Sequence, residues 1–168
     1  LILEGAYYGR MSLIEKYQDN NNKALKLIKE DENTESKLMK ANIYGNLADS
    51  YSELKIYDSA HYYSDKSINT IEEISSSKYL LSKRIYKNKP FIYFNKSWIL
   101  LQQNKYEEAH YYIKKAYNQA KLEKIDYMAL FYEIYGDYYY HIENYKEAIV
   151  YYKLSSKNKK KFNQNSAY

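Results

Sequence analysis

The sequence contains no cysteine, one proline and four glycines among its 168 residues. The absence of cysteine excludes a disulfide scaffold, a thiolate zinc site and a cysteine nucleophile, although it does not fix the compartment. Most β-sheet architectures need turn residues at intervals of about ten positions, so the scarcity of glycine and proline favours helices with short connections. We therefore predict an all-α fold.

Long apolar runs are absent too, because no segment approaches the roughly 20 apolar residues that a membrane-spanning helix needs. The chain begins at Leu1 without a methionine, and Leu1-Ile2-Leu3 is too short for the core of a signal peptide. We interpret residues 1–168 as a single domain of a longer protein. We place this domain in either the cytoplasm or the periplasm.

Charge of one sign does not dominate, since 21 acidic residues are mixed among 26 basic ones and the net charge is +5. A nucleic-acid binder usually concentrates lysine and arginine on one face. The dense basic run from Lys157 to Lys161 is interpreted as a helix end whose cations suit the helix dipole. The alternative is a juxtamembrane or linker segment. We expect no direct contact with nucleic acid.

Four segments share one pattern, in which an aromatic or polar residue and two polar residues precede an alanine and an apolar helical run. These segments are Asn-Asn-Lys-Ala24, Tyr57-Asp-Ser-Ala60, Tyr106-Glu-Glu-Ala109 and Tyr145-Lys-Glu-Ala148. A polar helix start followed by alanine and by large residues at helical spacing is typical of a helix packed along one face. The pattern predicts an internal repeat.

A second helical stripe with a small residue at its centre lies upstream of these segments. The clearest stripes are Tyr132-Tyr135-Gly136-Tyr139, Tyr44-Leu47-Ala48-Tyr51 and Tyr93-Ser97-Leu100. Gly136 costs a helix up to about 1 kcal/mol relative to alanine. A close contact with the paired helix is the natural reason to tolerate that cost, and we predict such a contact for the small residue of each stripe.

The arrangement resembles the tetratricopeptide repeat, a helix–turn–helix unit of about 34 residues. The approximate units are residues 5–40, 41–89, 90–128 and 129–162, of which the last matches the family pattern best. The first unit is degenerate, and its alanine is Ala24.

The departures from a uniform repeat concentrate in the second unit. The four alanines are 36, 49 and 39 residues apart, and the extra length falls between Ile74 and Lys89. There we expect a break at Ser75-Ser76-Ser77, an extra helical stretch over Lys78 to Tyr86, and Pro90 as the first residue of the next helix.

The resemblance implies a right-handed α-solenoid of antiparallel helix pairs, with about eight or nine helices, that binds a protein or peptide. We expect no enzyme activity, cofactor or metal, because no glycine-rich phosphate loop or Gly-x-Ser-x-Gly elbow is present. The long, irregular repeats are similar to the sensory domains of bacterial, Bacteroidetes-type transcriptional regulators. The alternative is a free-standing adaptor in an assembly or secretion pathway.

In tetratricopeptide proteins the first helix of each pair lines a concave groove, so the resemblance places partner binding there. The groove residues would be Asn42, Asn46, Asp49, Glu53, Phe94, Asn95, Trp98, Gln102, Glu133, Asp137, Tyr140 and His141. The clustered cations with which co-chaperone domains hold a terminal carboxylate are missing. Four of the groove residues are acidic and would face a common groove, namely Asp49, Glu53, Glu133 and Asp137. We therefore expect a cationic partner.

Two aromatic and acidic patterns allow more than one interpretation. Phe91, Phe94 and Trp98 form a second apolar stripe, which either packs under the inserted segment or anchors a bound peptide. Glu133 and Asp137 have the spacing of paired acids for acid–base chemistry, but a lone pair is more typical of a solvated groove wall. The three histidines show no metal-binding spacing, and we assign them to packing or to the surface: His61, His110 and His141.

Overall fold

The computed structural model describes residues 2–28, 33–76 and 83–165, with side chains within 11–28, 33–75 and 87–163. These parts form seven α-helices and no strand, which confirms the predicted all-α class. The helices are α1 (Ile2–Leu27), α2 (Thr34–Glu53), α3 (Tyr57–Ser76), α4 (Lys83–Gln102), α5 (Tyr106–Leu122), α6 (Ala129–His141) and α7 (Tyr145–Asn165). None of the described helices has both the length and the apolar character needed to cross a bilayer.

The chain divides into two compact units, Leu1–Ile85 and Tyr86–Tyr168, called unit 1 and unit 2 below. In unit 1, α2 and α3 form an antiparallel hairpin and α1 packs against α2. Near the middle of the hairpin, the buried Ser67 hydroxyl donates to the carbonyl of Ala41 at 2.7 Å. Apolar side chains of both helices fill the space between them, among them Leu38, Leu47, Ala48, Ala60, Ile68 and Ile71.

Unit 2 contains two hairpins, α4–α5 and α6–α7, whose side chains share one core. The buried members of this core are Leu100, Leu101, Ala109, Ile113, Ile134, Tyr135 and Tyr138. At one end of α5 the ring of Tyr106 stacks on His141, and towards the other end Tyr117 packs on Tyr132. Helices α5 and α6 therefore run antiparallel, and the second hairpin stacks directly on the first.

All three hairpins turn in the same way. The turn residues with left-handed backbone are Lys55, Asn104 and Glu143, with φ of 59°, 58° and 61°. In each turn the following amide donates to the carbonyl five positions earlier, as from Asn144 to Tyr139 at 2.8 Å, which is the Schellman arrangement. A glycine usually marks this position, and none does here, so composition did not reveal where the hairpins turn.

The repeat alanines occupy equivalent places after these turns. The amides of Ala60, Ala109 and Ala148 donate to the residues that close each turn, at 3.0, 2.9 and 3.0 Å, and all three side chains are buried. The prediction that these alanines mark the starts of packed helices is confirmed. The prediction is wrong for Ala24, which lies near the end of α1. Helix α1 runs unbroken past Ala24 because the polar residues before this alanine include no glycine or proline to end the helix.

The region between the units also differs from the prediction. Pro90 is not the first residue of a helix, because α4 begins at Lys83 and Pro90 lies inside it, fully buried. Proline removes one helical hydrogen bond, but the preceding residues contain no turn signal and extend the helix upstream. The predicted break near Ser76 and the helical stretch over 78–86 fall largely on residues 77–82, outside the described residues, and the stretch from Lys83 belongs to α4.

The central small residue of the α6 stripe makes the close contact that was predicted. A β-carbon placed on Gly136 would lie 2.6 Å from Cε1 and 2.7 Å from Cδ1 of Tyr152 on α7. That separation is below any van der Waals contact, so the ring occupies the space where a side chain would be. In the other hairpins the equivalent residues, Ala48 and Ser97, are buried as well.

We expect Gly136→Leu to destabilise the protein by about 2 kcal/mol or more, because the ring of Tyr152 and the α7 backbone must both move. Thermal denaturation would measure the loss, and each kcal/mol corresponds to a shift of about 2 to 4 °C at this chain length. A fall in melting temperature smaller than the 2 to 4 °C expected for about 1 kcal/mol would show that the helix contact does not exist.

A double-mutant cycle with Gly136→Ala and Tyr152→Ala gives the matched control. Alone, Gly136→Ala should destabilise, since its methyl group meets the ring. In the Tyr152→Ala background the same change should stabilise by up to about 1 kcal/mol, because alanine is the better helix former. The change of sign would attribute the effect to this one contact, and equal effects in both backgrounds would contradict the assignment.

Candidate functional site

The predicted groove residues of α2 lie on the side of that helix that meets α1. The side-chain amide of Asn46 donates to the side-chain oxygen of Asn21 on α1 at 3.1 Å. Asn21 is buried and donates in turn to the carbonyl of Tyr17 at 2.8 Å. Sequence reasoning missed Asn21, since it stands in a run of polar residues with no periodic signal. Asn42 lies half-buried on α2.

An open cleft of about 250 Å³ lies beside this polar link, between α1 and α2. We call it the acidic cleft. Its lining residues are Leu13, Ile14 and Tyr17 of α1 with Asp49, Ser50 and Glu53 of α2. The surface that lines the cleft is almost wholly apolar, and Asp49 and Glu53 lie one helical turn apart on its α2 side. Helix α1 thus supplies one wall of the cleft, although it matches the repeat pattern poorly. The other wall contains two of the predicted groove residues, Asp49 and Glu53.

The carboxyl group of Asp49 is partly withdrawn from solvent within this cleft. Burial, followed by the negative charge of Glu53, raises the pKa of Asp49 from 3.8 to about 6. Both causes disfavour the ionised form, because a buried charge loses hydration and a second like charge repels it. The raised pKa therefore reports a partly dehydrated carboxyl group beside a second negative charge.

The predicted groove residues of α4 divide into core and surface. The rings of Phe91 and Phe94 lie 5.4 and 6.1 Å from that of Phe131 on α6, centroid to centroid. This stripe therefore joins α4 to α6, a role that neither sequence interpretation included. Trp98, one turn after Phe94, keeps 37% of its surface exposed. Asn95 and Gln102 are half-buried on the same helix.

The acidic residues of α6 are both engaged by α7. Lys159 donates to Glu133 at 2.6 Å, and the Tyr152 hydroxyl donates to Asp137 at 2.7 Å. Burial raises the pKa of Asp137, the Tyr152 hydrogen bond opposes this effect, and the charge of Glu133 adds to it. These two carboxylates brace the α6–α7 hairpin, so they offer less free charge than the sequence suggested.

The basic run that includes Lys159 forms part of α7, which continues to Asn165, so the run is helical as predicted, but the prediction that it is the helix end is wrong. Its cations lie before the last described turn, which contains no basic residue. Within the run, Lys159 forms a side-chain ion pair with Glu133 of α6.

The remaining predicted residues lie at the end of α6. Tyr140 is exposed and packs edge-on against Tyr145, while the exposed His141 stacks on Tyr106. The packing role assigned to His110 agrees with the structure, because its ring stacks on Tyr138 at 4.4 Å and burial lowers its pKa. That the four groove carboxylates share one groove stays a prediction.

Within the described side chains, no three histidine or carboxylate residues converge as a metal site would require. The chain matches no protein-family model, no curated protein and no solved structure. The acidic cleft is the one described cavity that brings predicted groove residues together with apolar surface, and it is our candidate site.

The raised pKa of Asp49 predicts a specific pH dependence of stability. The folded protein binds the Asp49 proton more tightly than the unfolded chain, so the stability that this group contributes below pH 3.8 falls as pH rises to about 6. Asp49→Asn should remove that component, which amounts to a few kcal/mol at most, at about 1.4 kcal/mol per pKa unit. Urea unfolding between pH 4 and 7 measures it.

Asp65→Asn serves as the control, because Asp65 is an exposed carboxylate on α3 of the same unit. This control should keep the slope of the wild type. Asp49→Asn should also exceed the wild type in stability at neutral pH. An unchanged slope in Asp49→Asn would show that the Asp49 carboxyl is solvated and that the cleft does not exist as described.

Proposed function

We propose that the chain is a helical-repeat module of the tetratricopeptide type, a right-handed solenoid of helix pairs, that binds a peptide segment of another protein. The observation that carries this proposal is that the three hairpins share one backbone arrangement. Each reverses through one left-handed residue, closes with the same hydrogen bonds, and resumes with a buried alanine. Repetition of one backbone arrangement over different side chains is the property that defines a repeat fold.

The stacking within unit 2 also supports a solenoid. Helix α5 packs antiparallel on α6, and α4 contacts α6 through Phe91, Phe94 and Phe131. Each helix of the first hairpin thus has its neighbour in the next one. In repeat proteins this nearest-neighbour packing builds a core along the chain and leaves extended surfaces for partners.

The acidic cleft indicates the chemistry of the partner. A lysine or arginine side chain has an aliphatic stem, which would lie along Leu13 and Tyr17, and a cationic head, which would meet the carboxylates of Asp49 and Glu53. A cation at this point offsets the burial of Asp49 and the repulsion by Glu53. We therefore assign the module a preference for peptides that carry a basic residue beside apolar ones.

The wider role that we propose is that of the sensory or scaffold domain of a bacterial regulatory protein. Helix lengths from 13 residues in α6 to 26 in α1 support this, because they match the irregular repeats on which the resemblance to regulator domains rests. A gene in which a helix-turn-helix module is joined to this domain would agree with the role. A gene that encodes this domain alone would favour the adaptor alternative.

Selection from a phage library of short random peptides tests the binding proposal. We expect the wild-type domain to enrich sequences with lysine or arginine next to an apolar residue. The double variant Asp49→Asn, Glu53→Gln should bind the selected peptides at least about tenfold more weakly, since it keeps the shape of the cleft and removes its charge. Fluorescence anisotropy at low and high salt provides the measurement.

Asp65→Asn again provides the charge-matched control and should bind as the wild type does. Retention of affinity and salt dependence in the double variant would place the peptide elsewhere on the chain. Failure to enrich any peptide family would contradict the proposed function itself.

Trp98→Ala tests the contribution of the exposed aromatic residue on α4. Exposed tryptophan residues are frequent hot spots, so we expect the dissociation rate of selected peptides to rise about 30-fold, which corresponds to about 2 kcal/mol. Stopped-flow measurement separates this effect from association. Tyr111→Ala is the control, since Tyr111 is an exposed aromatic residue on α5. Equal dissociation rates for the two variants would remove Trp98 from the binding surface.

A further inference from the structure

One side of α5, the second helix of the α4–α5 hairpin, is covered by α6, the first helix of the next hairpin. Its residues at spacings of 4, 3 and 4 are Tyr106, His110, Ile113 and Tyr117. The first, second and fourth pack against rings of α6, with His110 stacked on Tyr138 at 4.4 Å. Ile113 is 0% exposed. We call these four positions the stacking strip of α5, and α6 covers it.

Helix α7 has an equivalent strip, and no helix among the described residues covers it. Counted from the same turn, the equivalent positions are Tyr145, Ile149, Tyr152 and Ser156. Tyr145 and Ile149 are 54% and 53% exposed, and Tyr152 is exposed apart from its contact with α6. The residues of α7 that are buried lie beside the strip, at Ala148 and Ser155. The two helices therefore differ in burial along this strip, although they share one turn and one register.

The border of the strip carries positive charge. On α5 the border positions Glu107 and Lys121 lie close enough to α6 for their charges to influence the pKa of Tyr138 and Tyr132. The corresponding residues of α7 are both lysines, Lys146 and Lys160. Two further exposed lysines lie along the same border, so that the full row is Lys146, Lys153, Lys157 and Lys160.

We propose that the stacking strip of α7 is a docking surface for an amphipathic α-helix that runs antiparallel to α7, as α6 does on α5, and that carries carboxylates facing the lysine row. The α5–α6 pair fixes the shape of the occupant, because the same strip accepts a helix there. The lysine row fixes its charge, because carboxylates opposite Lys146 and Lys160 meet unlike charge. This surface adds a second interaction to the peptide-binding function proposed above.

The charge and the width of the strip favour a partner helix over two other occupants, a second copy of this chain and a membrane surface. A second copy joined strip to strip would bring two lysine rows together, which is unfavourable. An anionic membrane surface also attracts lysines, but interfacial helices present a broad apolar face to the bilayer. The exposed apolar side chains of α7 are divided by the lysine row, with Tyr145, Ile149 and Tyr152 on one side and Val150 and Leu154 on the other. The strip is therefore a narrow line, which is the width that one helix covers.

The probe is a fluorescent peptide of residues 126–144, the α6 segment, with Tyr132→Glu and Tyr138→Glu. These substitutions place carboxylates where α6 would meet Lys160 and Lys146 if it lay on α7. We expect the peptide to bind the intact domain, to bind more weakly at high salt, and to bind several-fold more tightly than the unsubstituted segment. Isolated helices of this length are marginal in water, so a second form of the probe is needed.

The second form tethers the same peptide to the end of the domain through a flexible glycine-serine linker. The tether raises its effective concentration to about the millimolar range, at which a weakly helical segment still docks. We expect tethering to raise the melting temperature of the domain and to protect the Ile149 amide from hydrogen exchange. A tether that carries the same peptide in scrambled order should do neither.

Two variants of α7 locate the surface. Ile149→Asp should weaken the free peptide about tenfold or more and abolish the stabilisation by the tether. Leu154→Asp is the matched control, because Leu154 is an apolar residue, 39% exposed, on the other side of the same helix. It should change binding by no more than about twofold. Circular dichroism of both variants verifies that they fold.

Three results would overturn the proposal. The first is that neither form of the probe binds, or that both variants bind it equally. The second is that the domain alone forms dimers, by light scattering across concentrations, that Ile149→Asp abolishes, which would assign the strip to a second copy. The third is that vesicles of phosphatidylserine and phosphatidylcholine bind the domain through Ile149 while the peptides do not, which would assign it to a membrane.

Discussion

Close approach of two helices within a hairpin is the constraint on which the other features of this protein depend. The chain reverses in three residues through one left-handed position, so the second helix begins almost in contact with the end of the first. Only small residues fit where the backbones then meet, as Ala109, Ala148 and Gly136 do. A larger side chain at any of these points would separate the helices and shift every contact further along the pair.

Tyrosine side chains pack on either side of this close approach, beside a core of leucine, isoleucine and alanine. The 25 tyrosines of the chain recur along the helix faces, and many stack on one another, as Tyr135 does on Tyr151 at 4.8 Å. Burial raises the pKa of Tyr135 and Tyr151, so their hydroxyls remain protonated and can donate hydrogen bonds. Their long rings span the hairpin and still place a polar atom near the surface. Many of the tyrosines therefore have a packing role.

The two acidic pairs, which look alike in the sequence, have different surroundings in the structure. Glu133 and Asp137 hold α7 in place through Lys159 and Tyr152, so they belong to the architecture. Asp49 and Glu53 lie beside apolar side chains of α1, and burial together with the charge of Glu53 raises the pKa of Asp49. The two surfaces that we propose for binding, the acidic cleft of unit 1 and the lysine-bordered strip on α7 of unit 2, therefore carry opposite charge.

The sequence by itself determined the features that depend on local spacing: the all-α class, the buried alanines after three turns, and the need for a small residue at position 136. Such features follow from helical periodicity, which residues three and four apart reveal. Tertiary structure alone decided that α1 continues past Ala24, that Lys159 and Tyr152 bind the α6 carboxylates, and that α1 encloses Asp49. The reason is physical, since burial and pairing depend on which helices meet, and residues far apart in the chain make that contact.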